Sequence, residues 1–527
     1  MKHFLLILGA LLALFSCGQT PQSPHAPKAM VLMVKVDGVA VSNDGSLGDV
    51  SLTPRICLEF SREIALDKLS LASLAYSGGE LTARVTDGTV LELTPAEPLA
   101  PSTRYRLGIA AGESFGIDLM EGFVFSFTTA YDPSDKFPRI SDDELLTKVQ
   151  EQTFAYFWDY AHPGSGMARE RLGSGNTVTS GGSGFGIMCL PVGVERGFVS
   201  REAAAERMRK ILRFLATADR FHGVYPHWMN GDTGKVIPFS SKDNGGDLVE
   251  TAFLMQGLLS AQVYFDQPEE ADIRAAIDLL WREVEWDWYT RGGQKVLYWH
   301  WSSSDGWAMN MKITGWNEAL IVYVLAAASP THPVPADAYH EGWAQSRKMK
   351  PSVNGPLFFA HYSFLGLDPR GLSDSYCGDY FAHNVAHARY NYEYCVRNPG
   401  HHAGYSAASW GLTASDIPGG YTASSPSNDK GVIAPTAAVA SLPYVREESM
   451  EAIRTFYYIY GDRLWGEYGF RDAFSLDNNW FASSYIAIDQ GPIVVMIENA
   501  RTGLLWQLFM QNEDVLRGLS ALGFSRQ

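Results

Sequence analysis

Positive charge is scarce in this chain. Its 527 residues carry 42 Lys and Arg against 58 Asp and Glu, a formal net charge of −16. Nucleic acid and anionic membrane surfaces are poor partners for such a balance. Cysteine is scarce too. Beyond Cys17 there are only Cys57, Cys189, Cys377 and Cys395, with no Cys-x-x-Cys pair. That excludes a zinc ribbon and a disulfide framework and leaves isolated buried thiols. After the first residues no apolar run has the length of a membrane-spanning helix. No Gly-x-Ser-x-Gly elbow, phosphate-binding loop or dinucleotide fingerprint occurs. No cofactor and no metal are expected. What the chain does have is aromatic residues, 13% in all with 14 Trp and 25 Tyr, and apolar residues at 46%, enough for two or three domains with a sizeable core.

The N-terminus reads as an export signal. Met1-Lys2-His3 is a short basic start, Phe4 to Phe15 an apolar run, and Ser16-Cys17 a lipobox-like end. Residues 1–17 are thus a signal peptide with Cys17 as the lipidated N-terminus, plain secretion being the alternative. The protein is then held to the cell envelope, on the periplasmic side or at the cell surface, through that anchor alone. Residues 18–29 form a polar tether. From Met30 to Tyr131 the pattern is β. Ile56, Leu58 and Phe60 alternate with polar neighbours, as do Tyr105, Leu107 and Ile109, and Asp87-Gly88 marks a hairpin. Short strands over residues 30–131 predict a β-sandwich.

Residues 140–527 read as helical. Ser141-Asp142-Asp143-Glu144 is a capping box. Helices are expected at 142–161, 184–196, 200–221, 247–265, 269–286, 316–329, 336–349, 376–396, 433–442, 447–459, 492–510 and 513–521. Long Gly- and aromatic-rich loops precede those starting at 184, 247, 316, 376, 433 and 492. Six such loops imply alternation of inner and outer helices, an (α/α)6 barrel in a mainly α chain, with all six loops on one face.

Chemistry is expected on that face. Asp243-Asn244-Gly245-Gly246-Asp247 sets two carboxylates around a Gly-Gly step at a loop-to-helix mouth, and Glu318 stands at the next such mouth. Glycines let the backbone approach a partner closely, and carboxylates at a helix mouth can do acid–base work. Asp247 followed by Glu250 also fits an N-cap with its capping partner. Glu318 alternatively complements a helix dipole from the first turn. Other acids on this face are Glu170, Asp305, Asp416, Glu467, Asp472 and Asp489. Aromatic candidates for sugar contact are Trp228, Trp299, Trp301, Trp307, Trp316, Tyr362, Trp410 and Trp480. Arg169, His227, His300, His361 and Arg471 add polar groups. Two carboxyl groups in an aromatic cleft suit glycoside hydrolysis, one protonating the leaving oxygen and the other activating water or attacking.

The stretches Gly315-Trp316-Asn317-Glu318, Tyr405-Ser406-Ala407-Ala408-Ser409-Trp410-Gly411-Leu412, Tyr468-Gly469-Phe470-Arg471-Asp472 and Asp489-Gln490-Gly491-Pro492, with Ser241 to Thr251, carry a resemblance. From about Leu145 to Glu513 the chain resembles the glycoamylase-like domain of Bacteroidetes lipoproteins, the group containing glycoside hydrolase family 144. Residues Arg55 to Ser61 and Pro101 to Leu107 resemble bacterial Ig-like domains, which act as spacers. The resemblance implies an (α/α)6 barrel and hydrolysis of β-1,2-linked glucan or its oligosaccharides with inversion, either within the chain or from an end. It implies Asp243, Asp247 and Glu318 as the acids. Glu318 is then the general acid, and Asp243 or Asp247 holds the water. Arg169, Trp228, Trp301, Trp316, His361, Tyr362, Trp410, Glu467, Arg471 and Asp489 are expected to position glucose units in a monomer. Two other classes compete: a polysaccharide lyase using Tyr362 and His361, and a non-catalytic glycan-binding lipoprotein.

Overall fold

Backbone pairing in the computed structural model bears out the strand pattern of the first 130 residues. The structure describes residues 26–66, 71–344 and 352–526. The export signal and Cys17 lie outside the described residues, as does the end of the helix expected at 336–349. The chain divides into one compact unit ending at Ala130 and a second beginning at Tyr131.

In the first unit, five strands form an antiparallel sheet in the order Val39–Val41, Val31–Val36, Ile56–Phe60, Val90–Pro95, Leu81–Thr86. A four-stranded sheet has the order Ser46–Val50, Phe123–Thr129, Arg104–Ile109, Leu74–Tyr76, its first pair parallel. Alternation puts Ile56, Leu58, Leu91 and Leu93 of one sheet into the same core as Leu107, Ile109, Phe125 and Phe127 of the other. Asp87 and Gly88 both take positive φ, 53° and 70°, in the expected hairpin turn.

The second unit is helical. Its helices are α1 (Asp142–Trp158), α2 (Ser180–Glu195), α3 (Arg201–Leu215), α4 (Leu248–Tyr264), α5 (Ala271–Arg282), α6 (Leu320–Ala328), α7 (Tyr380–Arg397), α8 (Pro435–Val439), α9 (Arg446–Arg454), α10 (Gly461–Leu464), α11 (Ala487–Arg501), α12 (Leu504–Phe509) and α13 (Glu513–Ala521). Nine of them fall into two classes. Helices α2, α4, α6, α8 and α11 are apolar or small-residue all round, and nearly every residue in them is buried. Helices α3, α5, α9 and α13 are amphipathic and bury one stripe. Apolar helices therefore form the interior and the amphipathic ones cover them. The capping box at the start of α1 is formed, Ser141 and Glu144 serving each other's backbone.

Several boundaries move for local reasons. The helix expected at 316–329 begins only at Leu320, because the Asn317 side chain accepts from the Ala319 N–H in a preceding turn. Glu318 thus precedes α6 and is not in its first turn. The segment expected at 492–510 is α11 and α12, separated at Gly503, which takes φ 73°. Helix α7 starts at Tyr380 under an Asp379 cap and stops at Asn398 in the left-handed region.

Glycine fixes how closely the interior helices approach. A Cβ on Gly257 of α4 would overlap the backbone of Gly184 in α2, and one on Gly184 would overlap the Phe253 carbonyl. Gly257→Ala is expected to cost about 1–3 kcal/mol through overpacking and to lower the calorimetric melting temperature. Gly378→Ala, whose new methyl meets open space, is expected to leave it unchanged.

Candidate active site

The Gly-Gly step singled out in the sequence is a strand-pairing device. Gly246 and Asp247 pair antiparallel with Trp301 and His300. A Cβ on Gly245 would overlap the Trp301 carbonyl, and one on Gly246 would overlap the Tyr289 hydroxyl. This pairing brings the start of α4 against His300.

Asp247 is the N-cap of α4. Its Oδ1 accepts from the N–H groups of Val249 and Glu250, both at 3.0 Å. Its Oδ2 faces His227 Nδ1 at 3.2 Å and His300 Nε2 at 3.4 Å. His300 Nε2 also lies 3.2 Å from Asp243 Oδ2, so one imidazole sits between two buried carboxylates. Burial would push His300 down, but the hydrogen bonds and charges of Asp243 and Asp247 outweigh it and raise its pKa to about 10. His227 is likewise raised to about 9, its burial outweighed by Glu250 and Asp247. Burial also opposes the charge of Asp247, yet the two histidines hold it well below the usual carboxylate range. The ligand atoms of Asp243, Asp247 and His300 lie within 4.8 Å of one another, a spacing open to a metal ion. The charged imidazole already supplies a cation between the two acids.

Glu250 does not close a capping box with Asp247, whose own N–H donates to the Tyr225 carbonyl. The Glu250 carboxylate instead accepts from the Gly181 N–H at 2.8 Å. This works because Gly181 leaves room where a side chain would collide with it. Glu250 then faces a cavity of about 470 Å³, whose wall also carries Glu318, Glu170, Arg171 and His227. Glu318 is half-buried on that wall, and its loop is pinned by the Ser363 hydroxyl donating to its carbonyl. Burial first, then the charges of Glu250 and Asp247, raise the Glu318 pKa to about 7. Burial raises Glu250 too, but His227 and the Gly181 N–H oppose it. Both glutamates are thus shifted towards the neutral form, Glu318 to about 7, while for Glu250 the His227 charge and the Gly181 N–H pull against the rise.

A second acid group lies behind the wall. Arg171 pairs with Glu170 and with Asp416, each at 3.0 Å. The Asp416 N–H donates to Asp472 at 2.7 Å, and Tyr362 donates to Asp489 at 3.3 Å. Asp472 and Asp489 are buried together. Burial and the charge of Asp416 push Asp472 up to about 7, and burial with the charge of Asp472 pushes Asp489 well above its usual range. One carboxyl oxygen of each has no donor from the protein.

Of the residues expected from the sequence, Glu318, Glu170, His227, Trp228, Trp299 and Tyr362 line the cavity, and Asp489 stands one hydrogen bond behind Tyr362. Asp243 and Asp247 lie behind the wall, their oxygens taken up by His300, His227 and the helix N-terminus. Seven others are committed elsewhere. Arg169 donates to the carbonyls of Gly175 and Tyr160. Trp301 packs on His222 and Trp288, and Trp316 on Trp343, Tyr380 and His383. His361 is buried against the Ser441 hydroxyl at 3.0 Å, burial pushing it down to about 3. Trp410 is fully buried and donates to the Glu448 carbonyl. Glu467 is exposed and accepts from Tyr468, and Arg471 reaches only the Ala482 carbonyl. The cavity also holds Phe239, Phe358 and Tyr421, which composition alone did not mark.

Two family models match the chain: “Putative glucoamylase” over residues 310–513 and “Bacterial Ig-like domain” over residues 39–129. The exo β-1,2-glucooligosaccharide sophorohydrolase (non-reducing end) of Parabacteroides distasonis is 44% identical over 420 residues. That match covers 73% of this chain and 58% of the relative, so the chain spans under two thirds of that protein's length. The endo-β-1,2-glucanase of Chitinophaga pinensis, solved with sophorotriose and glucose, is 52% identical with a TM-score of 0.72. The match covers 73% of this chain and 99% of that one. A solved β-1,2-glucanase from Parabacteroides distasonis is 36% identical with a TM-score of 0.72, covering 94% of this chain and 74% of its own. The chain therefore belongs to the glycoamylase-like family whose close members are β-1,2-glucanases and sophorohydrolases, the glycoside hydrolase family 144 group, here with a bacterial Ig-like domain ahead of the helical one.

Proposed function

We propose that the protein hydrolyses β-1,2-linked glucan or its oligosaccharides, with inversion. The observation that carries this reading is the pair of glutamates on one cavity wall, Glu318 raised to about 7 with no cation beside it and Glu250 held by the Gly181 N–H and facing the charge of His227. Glu318, held neutral to about pH 7, protonates the leaving glycosidic oxygen. Glu250, anchored by the Gly181 N–H and facing the charge of His227, orients the attacking water from the cavity wall. Asp243 and Asp247 act through His300 and His227, keeping both imidazoles charged beside Glu250. Tyr362 and Trp228 contact the sugar. The helical unit is read as an (α/α)6 barrel, supported by five interior helices wrapped by amphipathic ones. Residues 18–29 are read as a tether and 30–131 as a spacer, the whole acting as a monomer held to the envelope through Cys17. The sequence of residues 1–17 supports that last point.

Four outcomes are expected. Chromatography of products from linear β-1,2-glucan, run beside β-1,3-glucan, cellulose and starch, shows cleavage of the β-1,2 polymer alone. A ladder of oligomers identifies internal cleavage and a single disaccharide cleavage from an end; inertness on all four polymers sinks the proposal. Glu318→Gln lowers kcat by about 10²–10⁴-fold with unchanged circular dichroism. In the wild-type enzyme kcat/KM falls as pH rises through about 7, because the acid loses its proton there. Asp247→Asn lowers both activity and melting temperature, since it weakens a helix cap worth about 0.5–2 kcal/mol and discharges His227 and His300. A variant with full turnover would remove Asp247 from the mechanism.

A further inference from the structure

Two large aromatic rings of the cavity wall are left half in water. Phe239 is 49% exposed and Tyr421 48% exposed, yet both line the cavity that holds Glu318 and Glu250. The other aromatic rings of that wall, such as Tyr362 and Phe358, are buried or half-buried. Leaving these two open forgoes a burial worth about 1.5–3 kcal/mol for a phenylalanine-sized side chain.

Each ring is held by a built support. Phe239 follows the strand Val236–Ile237 and sits in a turn closed by its own N–H donating to the Asp243 carbonyl at 2.9 Å. Its ring packs on His227 and Trp228, with centroids 4.4 and 4.8 Å away. Tyr421 lies on the hairpin Ala414–Ile417 and Gly420–Ala423, directly across from Asp416. Arg171, itself on the cavity wall, pairs with that same Asp416, so the hairpin is tied down at the position across from the ring. The charges that act on Tyr421 are those of Asp489, Asp472, Asp416 and Arg171. The neighbours of Phe239 are a different set, so the rings occupy separate stretches of wall.

We propose that Phe239 and Tyr421 are the two sugar-stacking platforms of the cavity, each carrying one pyranose ring of a β-linked glucan chain. A β-glucopyranose has its substituents equatorial, so each ring face shows axial C–H groups, an apolar patch that matches an open aromatic face. The assignment rests on the glucan-hydrolase reading above and adds to it the residues that set affinity along the chain. Neither residue touches the acids directly by a side-chain hydrogen bond, so binding and chemistry separate.

The test is titration calorimetry of the Glu318→Gln protein and of the same protein carrying Phe239→Ala, Tyr421→Ala or both. The ligands are linear β-1,2-, β-1,3- and β-1,4-linked glucooligosaccharides, with circular dichroism to check folding. Each alanine is expected to weaken binding by about three- to tenfold, and the double variant by the product of the two. Phe239→Trp and Tyr421→Phe are expected to keep the affinity, since the ring and not the hydroxyl carries it. Unchanged affinity in both alanine variants, with the glucan still bound, overturns the platforms and leaves the hydrolase reading standing. Platform-dependent binding of another linkage instead of β-1,2 supports the platforms and overturns the linkage. Binding of none of the three overturns both.

Discussion

Negative charge packed into a dry region is the constraint on which this site depends. Asp243, Asp247, Glu250 and Glu318 interact in one region, and three of them, Asp243, Asp247 and Glu250, are buried. Unpaired carboxylates cannot stay ionised there, because desolvation disfavours the charge far more than at a surface. His300 and His227 resolve this by carrying protons between them. Asp243 and Asp247 pin the imidazolium of His300, the helix N-terminus takes the other oxygen of Asp247, and His227 reaches both Asp247 and Glu250. What positive charge there is has been used before Glu318 is reached. Glu318 is left with burial, two negative neighbours and its own backbone N–H. Its neutral form follows from the arrangement around it, not from any contact of its own.

That arrangement depends in turn on small residues. The strand pair that delivers His300 to Asp247 needs Gly245 and Gly246, and the carboxylate of Glu250 needs the bare backbone of Gly181. Gly184 and Gly257 bring α2 and α4 within backbone distance, so Gly181 at one helix start meets Glu250 at the other. The electrostatics of the cavity are thus built from close backbone approach, and a side chain at any of these glycines would open the gap that the hydrogen bonds bridge.

The parts legible in the sequence were those set by local chemistry. The Ser141 capping box, the Asp87-Gly88 turn, the sandwich alternation and the importance of Asp243 to Asp247 can be read from residues a few positions apart. So can the placing of Glu318 in a loop before an apolar helix, though not the Asn317 turn that keeps it off the helix. Glu250 was hidden because its spacing from Asp247 is that of a capping box, and only the packing of α2 shows which donor it takes. Trp410, His361 and Trp316 have the residue types of a sugar site but are spent on the interior. With 13% aromatic residues, type alone does not separate a platform from a core ring. Phe239 and Tyr421 escaped notice for the opposite reason: Phe239 lies just past a strand of two residues and Tyr421 in one of four, too short to show a period.

Charge also decides between the chemistries that a helical carbohydrate-cleaving domain can host. Cleavage of a uronic polymer by elimination requires cations to hold carboxylates and a base near Tyr362. Here His361 is turned onto Ser441, and Tyr362 spends its proton on Asp489. The one arginine in the wall, Arg171, is already shared between Glu170 and Asp416. A polyanion would meet Glu170, Glu250 and an acid pair behind Tyr362, and among the described residues the cations of that wall, Arg171 and His227, are already paired with acids. A neutral chain of hydroxyls and C–H faces meets acceptors, one acid held protonated and aromatic rings, which is the complement this wall offers.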